Sequence, residues 1–158
     1  MTFLVIIRAI AVICTGLAAG IYLGHRRGVS PAARVIGPPS FVRLQQVIHI
    51  HFARMMPPLV LGSTLGSLIW TILLRDRWQT AEWWLVALSA AAMLAVAVMT
   101  RVVNIPINKR LMTWDANAPP ADVWEIWSPW EQVHTVRSVL AILALICQVV
   151  ALSTYGSS

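Results

Sequence analysis

The chain has 158 residues, of which 58% are apolar and 11% are charged, and its formal net charge is +6. This composition is typical of a membrane protein, and the length suits one integral membrane domain, residues 1–158, with no separate soluble domain. The arginines flank apolar stretches and form no basic cluster with interleaved aromatic residues, so nucleic-acid binding is excluded as a function.

Residues 3–23 form the first predicted span, because about 20 apolar residues cross the hydrocarbon core. A cleaved signal peptide is disfavoured, since no basic segment precedes the apolar run and Arg8 interrupts it. We expect the Arg8 side chain to extend to the nearer membrane surface, the alternative being a partner inside the bundle. Gly16 and Gly20 would let a neighbouring helix pack closely.

A polar linker is predicted for residues 25–39, followed by Ser40 as the N-cap of a short amphipathic helix that precedes the second span. On that helix Gln45 and His49 lie one turn apart. His51 points about 200° away from His49 around the helix axis, so one undistorted helix does not offer both imidazoles to one ion.

Residues 55–74 and 83–103 are the second and third predicted spans. The turn between them is surrounded by tryptophans that are expected at the membrane interface: Trp70, Trp78, Trp83 and Trp84. We expect Asn104, Pro106 and Asn108 to break the third span where it leaves the lipid.

The fourth predicted span covers residues 134–154, within a helix expected to start at Pro129. Proline suits the first helical position, and Ser128 and Glu131 have the spacing of a capping box. This assigns Glu131 a structural role, which argues against its use as a catalytic acid or metal ligand.

Trp130, His134 and Arg137 follow one another at spacings of four and three residues, which places them on one helical face. An imidazole and a guanidinium at membrane depth are costly, so they require a partner or a function. Together with Asn104-x-Pro106-x-Asn108 and the connection of about two dozen residues, this motif resembles the anthrone-oxygenase-like family of small four-helix membrane proteins. Characterised fungal members oxidise anthrones to anthraquinones with O2, without a known cofactor.

The resemblance implies an oxidoreductase acting on a hydrophobic, enolisable aromatic molecule with O2. On this interpretation His134 is the base that removes a ring proton, with His49 as the second candidate. The expected donors to the developing oxyanion are Arg137, Asn104 and Asn108. The expected substrate contacts are Trp130, Trp127 and Gln45.

Two other interpretations stay open. A purely structural polar contact between the third and fourth spans accounts for the same residues in a non-catalytic protein that binds a lipid, quinone or partner. Alternatively, His49, His51 and His134, with Asp115, would hold copper, zinc, iron or haem, although their spacing matches no known ligand motif. A transporter or channel is disfavoured, because no span contains an acidic residue and no repeat is evident.

Lysine and arginine are concentrated in the connections after the first and third spans, which predicts that both connections are cytoplasmic and both termini lie outside. The cell membrane is the expected location. The polar residues singled out above, apart from Arg8, then lie at the cytoplasmic end, as in a shared site. The predicted partners are the lipid bilayer, O2 and a hydrophobic small molecule, and homo-oligomers are left open.

Overall fold

The computed structural model describes residues 2–154. The chain forms four long helical stretches, each called a rod below, and some of them consist of more than one helical segment. The α-helices are α1 (Thr2–Gly24), α2 (Ser30–Val35), α3 (Pro38–Leu73), α4 (Ala81–Met99), α5 (Ile105–Leu111) and α6 (Val123–Thr154). A first π-helical segment, His25–Val29, joins α1 to α2, and a second, Thr100–Asn104, joins α4 to α5. Four rods, Phe3–Val35, Pro38–Leu73, Ala81–Leu111 and Val123–Thr154, are long and apolar enough to cross a membrane. The all-α, four-span prediction is confirmed.

The rods pack in a ring, with α1 against α3, α3 against α4, α4 against α6, and α6 against α1. The centre of the bundle is filled by small and medium-sized side chains, chiefly Ala18, Ala19, Ala92, Met93, Val96, Ala141 and Ala144. Small residues let helix backbones approach closely in lipid. Two close approaches lie on α3, where an added Cβ at Gly62 would lie 2.8 Å from Sγ of Cys14 and one at Gly66 would lie 3.0 Å from the Cβ of Ala11. At Gly20, by contrast, an added Cβ would meet nothing within 4 Å.

A buried polar cluster ties the four rods together in the half of the bundle away from His134. The Gln148 amide nitrogen on α6 lies 2.9 Å from the hydroxyls of Thr15 on α1, Ser67 on α3 and Ser89 on α4. The Thr15 hydroxyl also donates to the carbonyl of Ala11. Satisfied hydrogen bonds between helices fix their rotation about their own axes.

The expectation that Arg8 extends to the membrane surface is wrong. Its guanidinium is buried and lies 2.5 Å from a carboxylate oxygen of Glu82, at the start of α4, and over the ring of Trp70. Arg77 contacts the other Glu82 oxygen at 3.1 Å. Trp70 is completely buried in this contact, so it does not belong to an interfacial belt as predicted, whereas Trp78 and Trp84 are exposed.

The predicted linker at residues 25–39 is instead helical as far as Val35. The next helix begins at Pro38 with its cap at Gly37, three residues before the predicted cap at Ser40. Gly37 takes the cap position with a φ of 78°, a conformation that favours glycine, so Ser40 is not the N-cap. The predicted short amphipathic helix is the first part of α3 and is continuous with the second span.

The predicted break at Asn104 is absent, because the second π-helical segment carries the rod on into α5. Pro106 lies in the first turn of α5, where a missing N–H costs little. The predicted capping box is also wrong, because α6 already begins at Val123 and runs through Pro129. Glu131 instead forms an ion pair with Arg34 at the helix surface.

Candidate functional site

A stack of aromatic rings runs along α6 at the end of the bundle that holds His134. Trp127, Trp130 and His134 are all buried. The Trp127 and Trp130 rings lie 4.5 Å apart and nearly parallel, and His134 stacks on Trp130 at 4.8 Å. Because both neighbours stack on Trp130, its faces are covered, and its indole nitrogen has no partner among the described residues. Trp130 can therefore offer a substrate an N–H donor at its edge rather than a stacking surface.

Arg137 fixes the orientation of the His134 imidazole. Its guanidinium donates to the Thr100 hydroxyl at 2.8 Å and lies 2.9 Å from Nδ1 of His134. Arginine has donors only, so Nδ1 must be the acceptor and the imidazole proton must reside on Nε2. His134 therefore carries a hydrogen-bond donor on Nε2. The imidazole lies near the main chain of Tyr22, but Nε2 makes no well-formed hydrogen bond within the described part of the chain.

The first π-helical segment brings in a second imidazole, that of His25, which is buried. Its ring lies 4.8 Å from that of His134 in an edge-to-face arrangement and 5.3 Å from Trp130. Its Nδ1 lies 3.3 Å from the Ser30 hydroxyl, a contact in which either group can donate. Gln45 of α3 lies beside the same ring. The proton position on His25 is therefore not fixed by an arginine, unlike that on His134.

The second π-helical segment supplies Thr100 and Asn104. The Asn104 amide donates to the main-chain carbonyl of Trp130 at 3.3 Å, and its side-chain oxygen is buried without a partner among residues 2–154. Single π-helical turns re-aim the side chains around them and are frequent at functional sites. Here one such turn on each of two rods directs its polar residues towards the same stretch of α6.

One cavity of about 1040 Å³ is lined by His25, Thr100, Asn104, Trp130, His134 and Arg137, among others. At its polar end five buried side chains have a nitrogen or oxygen atom that makes no well-formed hydrogen bond among the described residues: Gln45, Asn104, Trp130, His134 and Arg137. Two of them have a looser contact, Gln45 with the His25 ring and His134 with the main chain of Tyr22. Unpaired buried polar atoms are uncommon in native proteins, so a cluster of them facing a cavity indicates a ligand site. The lining holds three basic residues, Arg101, Lys109 and Arg137, and among the described lining residues no aspartate or glutamate.

The structure brings together most of the residues singled out in the sequence. His49, Asn104, Asn108, His134 and Arg137 all line the cavity, as do Gln45 and Trp130. Trp127 does not line it, because it packs behind Trp130 and against Phe41. Three further lining residues, His25, Tyr22 and Thr100, were not predicted from the sequence. Tyr22 and His25 are three residues apart, a helical spacing that would have indicated them had the helix been extended past residue 23.

The proposed trio of histidine ligands is not assembled. His51 is exposed, whereas His134 is buried and His49 lies at the cavity wall. Within the described residues, no three side chains of His, Cys, Asp or Glu lie close enough together to hold one ion. His49, His51 and His134 with Asp115 are therefore not a metal site in this arrangement.

The fold and the site define an integral membrane four-helix protein with a buried His–Arg–aromatic site at one end. The chain belongs to the anthrone oxygenase family, whose profile matches residues 44–147. This range contains α4, α5 and the second π-helical segment, together with most of α3 and α6, but not His25. Searches of curated proteins and of solved structures returned no match.

Proposed function

We propose that the protein oxidises a hydrophobic, enolisable aromatic molecule with O2, as an anthrone is oxidised to a quinone. The observation that carries the proposal is the polar end of the cavity, where Arg137, an N–H on His134 and a second imidazole, His25, meet, with no aspartate or glutamate among the described lining residues. Such a corner favours an oxyanion, because donors are already oriented before charge develops. Family membership supports an oxygenase-like role.

The reaction requires only a base, oxyanion donors and O2. A base removes one proton from the ring CH2, and the electron pair moves onto the carbonyl oxygen. The resulting enolate passes one electron to O2, and the carbon radical and superoxide combine to form a C–O bond. The peroxide takes a proton from the base. Loss of the second CH2 proton then breaks the O–O bond, leaving a new carbonyl and water, so CH2 and O2 become C=O and H2O.

In this proposal His25 is the base, and His134 and Arg137 hold the enolate oxygen. His134 is a poor base in this geometry, because its Nδ1 lone pair is already directed at Arg137 and its proton is on Nε2. His25 has no such arginine, lines the same cavity and lies one ring away. His49 also lines the cavity, but it is less buried than His25, and no hydrogen bond to its imidazole is seen among the described residues.

Anthrone oxidation in a defined membrane tests the proposal. An emodin-type anthrone is mixed with the protein in nanodiscs under air, and quinone formation is followed by its visible absorbance. Empty nanodiscs are the control, because anthrones oxidise slowly without a protein. We expect a rate above this control and the consumption of one O2 for each quinone formed. A rate equal to the empty-disc control would refute this function for that substrate.

The reaction is proposed to be independent of a cofactor, because the chain's own residues supply the base and the donors. Copper, iron and haem remain the competing assignments. Elemental analysis and absorbance spectra of purified protein distinguish them. Activity that is lost on chelation and restored by one added metal would assign the chemistry to that metal.

A structural contact between rods is the second candidate role. The bonds from Arg137 to Thr100 and from Asn104 to the Trp130 carbonyl do link the third and fourth rods. However, a purely structural contact leaves no reason for the partnerless buried atoms that face the cavity or for the adjacent His25. We therefore favour a ligand site, and variants of the two histidines discriminate between the roles.

We further propose that the polar end faces the cytoplasm of a cell membrane, with both termini outside. The basic residues Arg26, Arg27, Arg34 and Arg43 lie at that end, with Lys109 and Arg110, and the positive-inside rule supports this orientation. A reporter fused after Ser158 should behave as non-cytoplasmic. Cytoplasmic reporter activity at that position would invert the orientation and place the site on the opposite side.

A further inference from the structure

The cavity extends far beyond the polar end. Its lining on α3 runs from Gln45 to Leu68, which corresponds to about 34 Å along a helix, close to the thickness of the hydrocarbon core. Among the described lining residues, the buried polar atoms without a well-formed hydrogen bond lie at one end of this length; others, such as those of Trp70 and Gln148, lie outside the cavity. A three-ring molecule seated against His134 would leave the rest of the cavity unfilled.

The distal part of the cavity, defined by Val60, Leu61, Thr64, Leu65 and Leu68 of α3 with Leu94 and Ala97 of α4, is almost entirely apolar. Its one polar side chain, Thr64, donates to the carbonyl of Val60 within its own helix. Leu61, Leu65 and Leu94 are 59%, 46% and 49% exposed, so this part opens sideways between α3 and α4 towards the lipid. This lining suits a hydrocarbon chain, because such a chain has no polar group that would need a hydrogen bond there.

We infer that the natural substrate is an amphiphile, an oxidisable aromatic head with a long hydrocarbon chain, whose chain lies in the distal part of the cavity. The head's chemistry rests on the proposed function, whereas the chain follows from the continuity of the cavity. From Met56 to Leu68 the apolar wall measures about 18 Å, or roughly half of the hydrocarbon core. The lateral opening gives such a molecule a path from the bilayer to the polar end.

The charges at the polar end fit the head of this amphiphile. Arg101 and Lys109 line the cavity near its polar end, Arg137 lies within it, and none of the described lining residues is acidic. A phenol or hydroquinone head would therefore meet positive charge and no carboxylate in the described lining. A bilayer phospholipid would also satisfy the basic residues and the apolar wall, and its phosphate and ester oxygens can accept from the donors around Trp130, so competition by a soluble alkylated aromatic is what distinguishes the two occupants.

Photolabelling tests the inference without requiring turnover. The probe is an alkylated hydroquinone with a diazirine at the end of its chain, added to the protein in nanodiscs. We expect cross-links on residues 60–68 of α3 and 94–97 of α4, and we expect excess unlabelled alkylated hydroquinone to remove them. Labelling that is spread evenly over lipid-facing residues such as Leu143 and resists competition would overturn the inference and indicate bilayer lipid alone.

A matched pair of variants adds a kinetic test. Leu65 and Leu143 are leucines of similar exposure, 46% and 48%, but only Leu65 lines the cavity. Leu65→Trp should lower the rate ratio of a long-chain anthrone to the unsubstituted anthrone about tenfold, a typical cost of overfilling a packed site. Leu143→Trp should leave that ratio unchanged. An equal ratio in both variants would count against the chain site.

The two proposals fail in different ways. Competable labelling of the distal part without any anthrone turnover would support the amphiphile site and refute the oxygenase. Turnover of the unsubstituted anthrone without localised labelling would support the oxygenase and refute the chain site.

Discussion

Replacing His25 by glutamine should lower anthrone turnover by roughly 10²–10⁴, the usual contribution of a positioned acid or base. Glutamine is similar in size and polarity, but its amide does not take up a proton near neutral pH. The His25 imidazole contacts the Ser30 hydroxyl at 3.3 Å and lies beside the Gln45 amide, so its replacement should change the free energy of unfolding by about 1–2 kcal/mol or less. Initial rates and thermal unfolding of the same detergent sample measure both quantities.

The corresponding changes at His134 separate the base from the oxyanion donor. His134→Gln keeps an N–H donor, so its loss of turnover should be smaller than that of His25→Gln. His134→Leu removes the donor and should cost about 10²–10³, as loss of an oxyanion-hole donor does. His51→Gln is the matched control, because His51 is exposed and does not line the cavity, and it should behave like the parent.

Two outcomes would contradict this assignment of roles. If His134→Gln is inactive while His25→Gln keeps parental turnover, then His134 is the base, as the sequence alone suggested. If either histidine variant is clearly destabilised while its folded fraction remains as active as the parent, the imidazoles serve a structural contact and not a reaction.

The part of the site on α6 could be predicted because it depends only on helical periodicity. Spacings of four and three residues place Trp130, His134 and Arg137 on one face wherever the helix begins, so the wrong capping box did not affect their grouping. Asn104 could be added because a polar side chain at the end of an apolar run requires a partner. The four-helix architecture could be predicted because the sequence contains four long apolar runs.

His25 could not be predicted by the same argument. It follows an apolar run and precedes Gly28, Pro31 and three arginines, a composition that is typical of a loop. The helix nevertheless continues through a π-helical turn, which changes the helical phase and has no local signature in the spacing of apolar residues. The start of α6 was mispredicted for a similar reason. Trp127 packs against Phe41, and the helix therefore begins upstream of the capping signal at Ser128.

The ion pair of Arg8 with Glu82 could not be predicted from local sequence spacing. Replacing Glu82 is the change for which we expect the largest loss of stability. Arg8 and Glu82 lie 74 residues apart in the chain, so no local spacing indicates the pair. Both side chains are buried, with 7% and 4% exposed, and they join the start of α4 to α1. Replacing one member of a buried ion pair is costly, because the remaining charge loses a partner that offsets its desolvation.

Glu82→Gln should therefore lower the free energy of unfolding by about 3–5 kcal/mol, although glutamine has nearly the same shape as glutamate. Unfolding by SDS titration from mild-detergent micelles, followed by tryptophan fluorescence or helical circular dichroism, gives the comparison. Asp76→Asn is the matched control. Asp76 pairs with Arg75 at 3.7 Å in the same turn, but its side chain is 91% exposed, so its replacement should cause no measurable loss.

A second variant distinguishes an unpaired charge from a general defect in packing. Arg8→Met combined with Glu82→Gln removes the buried cation together with the anion, and it should recover most of the stability lost in Glu82→Gln, because the desolvation cost of Arg8 disappears. The carboxamide that remains beside Arg77 is neutral, and Arg77 is partly exposed and can be hydrated. If the double variant is less stable than Glu82→Gln, then Arg8 stabilises the bundle by packing on Trp70 more than by its charge. If Glu82→Gln unfolds like the parent, the ion pair does not hold α1 to α4.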